Sequence, residues 1–238
     1  MKTIIALGDL HVPHHSPEAW RVALRVVEDL EPDVVALMGD MIDFYQVSRF
    51  QKLPSRQFQL QDDIDIAYDL MGQVRAAAPR ARIFFTEGNH EDRLQRYLLT
   101  RAPELYCLRS MTVPQLLRLS DFNISYENKV NIDGVMFTHG HIVRKYSGYT
   151  AKAMAEEYGT VIFGHTHRLG IYYKRDGRGE VTAVENGCLC ELSPEYITGV
   201  ANWQQGFTVI TTDRDQPAQF EQAKITDGKT MFRGRSWR

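Results

Sequence analysis

The segment Ile4-Ile5-Ala6-Leu7-Gly8-Asp9-Leu10-His11 sets a short apolar run directly against Gly-Asp-x-His. Four consecutive apolar residues closed by glycine read as a buried strand over Lys2 to Gly8. The same event recurs along the chain. Asp33 to Met38 is a second apolar strand ending in Gly39-Asp40, and Ala81 to Thr86 a third, followed by Gly88-Asn89-His90-Glu91. Lys129 to Thr138, with Asp133-Gly134 near its turn, reads as a hairpin ending in His139-Gly140-His141. Thr160 to Phe163 ends in Gly164-His165-Thr166-His167. In α/β sheets ligands bind beyond the carboxyl ends of strands, where loops converge, and glycine lets the backbone approach them closely. Five strand ends carrying Asp, Asn and His are therefore expected to meet at one point.

Helical signals lie between these strands. Ser16-Pro17-Glu18 is a helix start, with a capping hydroxyl and proline at the first helical position. Trp20, Ala23, Leu24, Val27 and Leu30 continue it at helical spacing. Further helices are expected over Asp62–Ala78, Asp92–Arg101, Pro114–Leu119 and Tyr149–Tyr158, the last closed by Gly159. Gln46 to Gln61 reads as a polar insertion. Leu169–Lys174 and Glu180–Val184 flank the turn 175–179, and Gly206–Thr212 and Ala218–Ile225 complete the strands. The basic tail 231–238 is expected to be frayed or an edge strand, and residues 1–238 to form one domain.

Composition narrows the class. The 238 residues are 43% hydrophobic and 24% charged, ordinary for a globular chain, and the net charge of −2 excludes a generic polyanion binder. Three cysteines form no disulfide framework, the N-terminus lacks a cleavage site of small residues, and no apolar run reaches bilayer length. A cytoplasmic protein is expected, without a membrane partner.

The eight histidines all fall in four short windows, 9–15, 89–91, 139–141 and 165–167. Asp9, His11, Asp40, Asn89, His139, His165 and His167 form a mixed nitrogen and oxygen donor set, which suits first-row divalent metals. Their lack of cysteine argues against a closed structural zinc site. Seven donors exceed one tetrahedral ion but suit two ions sharing a carboxylate, an arrangement that activates a bridging hydroxide for in-line displacement. Neutral Asn89, where a carboxylate would cancel charge, leaves the centre cationic and suited to a phosphate ester. His90 is placed to protonate the departing oxygen, and Asp43 to orient its ring.

These five blocks, Asp9-x-His11, Gly39-Asp40-x-x-Asp43, Gly88-Asn89-His90-Glu91, His139 and Gly164-His165-x-His167, resemble the calcineurin-like metallophosphoesterase superfamily in content and order. The resemblance implies a four-layer α/β/β/α sandwich with two mixed sheets. It implies that Asp9, His11, Asp40 and His167 hold one metal and Asp40, Asn89, His139 and His165 the other, with His90 as acid or phosphate-binding group. The ions implied are divalent, Mn²⁺ first, with Fe, Zn²⁺ or Ni²⁺ as alternatives. Gly39-Asp40-Met41-Ile42 lacks the Arg-Gly that follows this aspartate in Ser/Thr protein phosphatases, despite the shared Glu91. The windows look more like compact prokaryotic and phage-type members. A phosphodiesterase on nucleotides or nucleic-acid ends is the expected function, with a phosphomonoesterase or nucleoside-polyphosphate hydrolase as the alternative. A non-catalytic scaffold is disfavoured, since every ligand position is filled.

Other residues carry plainer expectations. Asn89, His90 and Arg168 are candidate substrate contacts, while Arg93, Arg144 and Lys145 read as surface charges. His14 and His15 read as exposed loop residues, and His141 as either loop or support for the centre. Cys188 and Cys190 read as half-buried residues alternating on a strand. Phe44, Tyr45 and Phe50 either stack a base or plug the core edge, and Trp203 belongs to a loop without assigned chemistry.

Overall fold

The structure is a computed structural model that describes residues 1–50, 52, 59–146, 148–177, 179–194 and 199–238. Residues 51 and 53–58 of the insertion read at 46–61, and Arg178 in the turn 175–179, lie outside those residues. Two sheets face each other. The larger has the order β11-β10-β1-β2-β3-β4, built from β1 (Lys2–Leu7), β2 (Val34–Leu37), β3 (Arg82–Thr86), β4 (Ile124–Glu127), β10 (Gly206–Asp213) and β11 (Gln216–Lys224). Strands β1 to β4 are parallel, and β10 and β11 extend them antiparallel. The smaller has the order β5-β6-β7-β9-β8, from β5 (Lys129–Ile132), β6 (Val135–Thr138), β7 (Val161–Phe163), β8 (Leu169–Asp176) and β9 (Gly179–Asn186).

Strand periodicity sorts the apolar residues into layers. Ile4, Ala6, Ala36, Met38 and Phe84 point between the sheets, where they meet Val130, Phe137, Ile162 and Val184. The alternate residues Ile5, Leu7, Val35, Leu37, Ile83 and Phe85 pack outward against α1 (Pro17–Leu30) and α2 (Leu60–Ala77). On the far side α5 (Tyr149–Tyr158) lays Ala151, Met154 and Ala155 on Val161, Phe163 and Ala183. The result is the expected four-layer α/β/β/α sandwich, completed by α3 (Asp92–Arg101) and the short α4 (Val113–Leu116). Ser16 caps α1 by accepting from the Ala19 N–H. No described helix is long and apolar enough to cross a membrane.

The structure changes or decides three local expectations. Strand β4 carries no apolar run in the sequence: as the outer parallel strand it has only β3 as partner, and Ser125 and Glu127 face away from the core. Of the two readings of the tail 231–238 the strand one holds, in the form of a hairpin of β12 (Thr230–Phe232) and β13 (Arg235–Trp237), anchored where buried Trp237 donates to Asp29 at 2.8 Å. Cys188 and Cys190 lie past the end of β9, fully buried and not half-buried on a strand.

Candidate metal centre

The parallel strands β1, β2, β3, β6 and β7 end on one side of the sandwich, and the loops leaving them bring the predicted donors together. Two triads form. Asp9 Oδ1 lies 3.2 Å from His167 Nε2 and 3.8 Å from His11 Nε2, and the two imidazole nitrogens are 2.9 Å apart. In the second, His139 Nε2 lies 3.2 Å from Asp40 Oδ2 and 3.1 Å from Asn89 Oδ1, with a nitrogen of His165 in the same cluster. Asp40 Oδ2 stands between them, 3.7 Å from His11 Nε2. Donors about 2.1 Å from a common ion stand roughly 2.9–3.4 Å from each other, so the spacings of 2.9–3.2 Å fit shared cations, while His11 Nε2 stands wider from the two carboxylates, at 3.7 and 3.8 Å. The tautomers fit too. His139 Nδ1–H donates to the Met38 carbonyl at 2.8 Å, which turns Nε2 inward as the ring's ligating nitrogen once it has given up its proton.

The backbone is held tightly around the donors. Asp9, His11, Asp40, His165 and His167 all have left-handed backbone, with φ between 49° and 68°. A Cβ on Gly88 would come 2.2 Å from Asp40 Oδ1, and one on Gly164 2.4 Å from Asp9 Oδ2, so both positions require glycine. Asp9 accepts from the His165 N–H at 3.1 Å, and Asp40 Oδ1 from the His90 N–H at 2.9 Å. Fully buried Glu91, noted in the sequence only as a shared family residue, joins two of the loops. Its carboxylate accepts from the backbone N–H groups of Asp40 (2.9 Å), Met41 (2.9 Å), Ile42 (3.3 Å) and Gly88 (2.9 Å).

Charge in the cluster is unevenly distributed. Burial raises the Asp9 and Asp40 carboxyls, but the surrounding imidazoles outweigh it and hold both well below the usual range. Burial likewise disfavours a charged His139, yet Asp40 holds it up at about 10, and Asp9 does the same for His167, at about 10. His11 is pushed down to about 4 by burial and by His90, and His165 to about 4 by burial and by His139. Two buried carboxylates thus draw two protons onto neighbouring rings. That is the demand for positive charge a pair of cations would meet.

Beside the triads, His90 is clamped. Its Nδ1 lies 3.1 Å from the Asp43 carbonyl and 3.6 Å from Asp43 Oδ1, and its Nε2 lies 2.8 Å from Arg93 Nη2. Arg93 Nη1 also pairs with Asp43 Oδ1 at 2.7 Å. Burial raises the Asp43 carboxyl, but His90 and Arg93 reverse that and bring it to about 2. Arg93 is therefore not the surface charge its sequence context suggests.

For other sites the structure selects among the alternatives or departs from them. Phe44 is fully buried and plugs the core, while Phe50 is exposed under Arg49. His14 and His15 are half-buried, and the His15 backbone bridges to Cys190. His141 points outward, 3.3 Å from Glu157. Arg168 adjoins His167 and donates to the Arg144 carbonyl at 2.8 Å. Behind His167, Cys190 Sγ lies 4.0 Å from Nδ1 and the Trp203 ring packs edge-on, centroids 4.2 Å apart. Sequence spacing gave no sign of these two supports, which reach His167 through the loop after β9.

A two-layer sheet core with metal-type donors gathered at its parallel strand ends is the fold and site of the dinuclear phosphoesterases. The sequence model of the calcineurin-like phosphoesterases matches residues 2–169, and the chain belongs to that family. It is 29% identical to the Gene 54 protein of Mycobacterium phage L5, over 99% of this chain and 98% of that one. Among solved structures it is similar to a dimetal phosphatase from Danio rerio (TM-score 0.50, 12% identity, covering 94% of this chain and 95% of that one). It is also similar to Vps29 of Entamoeba histolytica complexed with zinc (TM-score 0.51, 16% identity, covering 96% of each chain).

Proposed function

We propose that this protein hydrolyses phosphodiesters, of nucleotides or nucleic-acid ends, at a two-metal centre. The observation that carries the reading is Asp40 standing between two donor triads with His90 clamped alongside. Asp9, His11, Asp40 and His167 would hold one divalent ion, and Asp40, Asn89, His139 and His165 the other. When bound, such a pair supplies Lewis acidity and an activated water. Asp9 and Asp40 bring two negative charges against about four positive ones from the ions, and neutral Asn89 leaves the surplus in place for an anionic substrate.

His90 supplies the proton chemistry. In the geometry seen, a ring protonated at Nδ1 donates to the Asp43 carbonyl while Nε2 accepts from Arg93. To protonate a departing oxygen, Nε2 must carry the proton. Arg93 then gives up its contact and turns its donors to the substrate phosphate. The Asp43 carboxylate, 3.6 Å from Nδ1, offsets the charge of the imidazolium.

The test is hydrolysis of a chromogenic diester beside its monoester by protein loaded with Mn²⁺, Zn²⁺, Ni²⁺ or Mg²⁺. Turnover of the diester exceeding that of the monoester, abolished in Asp40→Asn, is the expected result. His90→Ala should slow poor leaving groups more than good ones. A metal-loaded protein that cleaves neither ester overturns the reading, and a preference for the monoester replaces it with a phosphomonoesterase.

A further inference from the structure

The loop leaving β6 starts at His139 and runs to α5, and it carries a feature the hydrolytic centre does not use. Tyr146 and Tyr149 form a ring pair with centroids 5.8 Å apart, yet they are 59% and 64% exposed. Among the described residues this is the one aromatic pair with both rings open to solvent. Three cations belong to or touch this loop. Lys145 Nζ stands 5.3 Å from the Tyr146 centroid, Arg144 precedes it, and Arg168 fastens the loop through the Arg144 carbonyl. The chain as a whole carries a net −2, so this clustering is local.

The platform is tied to the centre by a buried carboxylate. Glu185 accepts from the Gly148 N–H at 2.9 Å with one oxygen and from the Thr166 hydroxyl at 2.9 Å with the other. Thr166 sits between the candidate ligands His165 and His167, so one side chain fixes the tyrosine loop relative to the metal-binding turn. Arg144 N–H donates to Thr150 Oγ1 at 3.0 Å and closes the loop onto α5. Rings held outward on an anchored loop that also carries cations match what a single strand of nucleic acid needs: faces for its bases and positive charge for its backbone.

We infer that Tyr146 and Tyr149, with Arg144, Lys145 and Arg168, form a stacking subsite for the bases of single-stranded nucleic acid leading into the centre. The inference rests on the phosphodiester reading for its role, though not for its binding test. The probe is a fluorescein-labelled oligothymidylate 12-mer with phosphorothioate linkages, read by anisotropy with the metal-loaded full chain. Tyr146→Ala/Tyr149→Ala should weaken binding at least about 25-fold, roughly fivefold per ring at the lower end of base–aromatic stacking. Tyr146→Phe/Tyr149→Phe should restore it, and an abasic strand should bind the unaltered protein as weakly as the 12-mer binds the double-alanine variant. Arg144→Ala/Lys145→Ala should flatten the slope of log affinity against log salt by roughly 1.4, about 0.7 per contact. Equal binding of the abasic strand, or no loss in the double-alanine variant at unchanged thermal midpoint, overturns the subsite. Ring-dependent binding by a protein that cleaves no diester upholds the subsite and sinks the hydrolytic reading; cleavage without ring-dependent binding does the reverse.

Discussion

Replacing Gly88 with alanine adds one methyl group where the centre has no room for it. The new Cβ would lie 2.2 Å from Asp40 Oδ1, 2.4 Å from the Asp40 nitrogen and 2.6 Å from Glu91 Oε2, against ordinary contacts of 3.4 Å or more. Relief requires the Asp40 carboxylate to retreat by about 1.2 Å and its backbone by about 1.0 Å, the differences between those distances. Neither is free to do so. Oδ1 is held by the His90 N–H at 2.9 Å, and the Asp40 N–H by Glu91 at 2.9 Å. Overpacking of this kind costs about 1–3 kcal/mol, a fall of roughly 2–12 °C in thermal midpoint for a chain this size. Misplacing reacting groups by about 1 Å costs on the order of a hundredfold in turnover. Metal content by mass spectrometry, thermal unfolding and diester hydrolysis measure the three consequences. Gly177→Ala is the control, because its Cβ meets nothing within 4 Å. A Gly88→Ala protein that retains two ions and turns over within threefold of the parent would refute the claim that Asp40 is held in place by contact at this glycine.

Metal binding should release protons: His139 and His167, both at about 10 while only protons answer the carboxylates, must be neutral to ligate. Calorimetric titration at pH 7.5 in buffers of different ionisation enthalpy should show about two protons leaving per chain, and none leaving would sink the charge assignment. Cys190→Val removes the acceptor behind His167 Nδ1 and should weaken metal binding about 10–100-fold, while Cys190→Ser should largely retain it. Equal affinity in both variants would mean the thiol merely fills space. Asp43 lies at about 2 against an ordinary 3.8, so its contribution is fully present above 3.8 and is lost as pH falls through 2. At about 1.4 kcal/mol per pH unit, the urea stability gap between parent and Asp43→Asn, measured in chelator, should narrow by about 2–3 kcal/mol between pH 6 and pH 2. A gap that does not change with pH would contradict the pairing with His90 and Arg93.

The donors were legible in the sequence because each follows an apolar run that can only be a strand, so local pattern placed His and Asp at strand ends and topology did the rest. Helices α1, α3 and α5 were equally plain, each with its cap or periodicity inside its own segment. What escaped notice depends on contacts between distant segments. Glu91 joins loops through four N–H groups that no spacing rule marks, and Arg93 turns inward because Asp43 is there to receive it. Cys190 reaches His167 only because the segment after β9 pairs with the loop after β1, where Leu189 N–H donates to the Asp9 carbonyl and Ser16 N–H to that of Leu189. Phe44 adjoins a polar insertion, so sequence alone left it between stacking and plugging the core edge, and packing decides for the core.

The backbone adds an argument that side-chain chemistry does not. Five of the seven candidate ligands adopt left-handed φ: Asp9 (52°), His11 (51°), Asp40 (49°), His165 (68°) and His167 (57°). Aspartate and histidine tolerate this region better than most residues, yet at about 1 kcal/mol each the five together cost about 5 kcal/mol, comparable with the lower end of a domain's whole stability. Turns that only had to reverse the chain could use glycine, as the neighbouring Gly39 (84°) and Gly140 (95°) do. A side chain held in a strained turn is there for what it does, and the energy for holding it comes from Glu91, Asp9, Asp40 and the tight glycine contacts. The centre is thus rigid before any ion arrives. Binding two cations then meets the charge demand of Asp9 and Asp40 in place of protons without having to fold the loops, as a site built for repeated turnover requires.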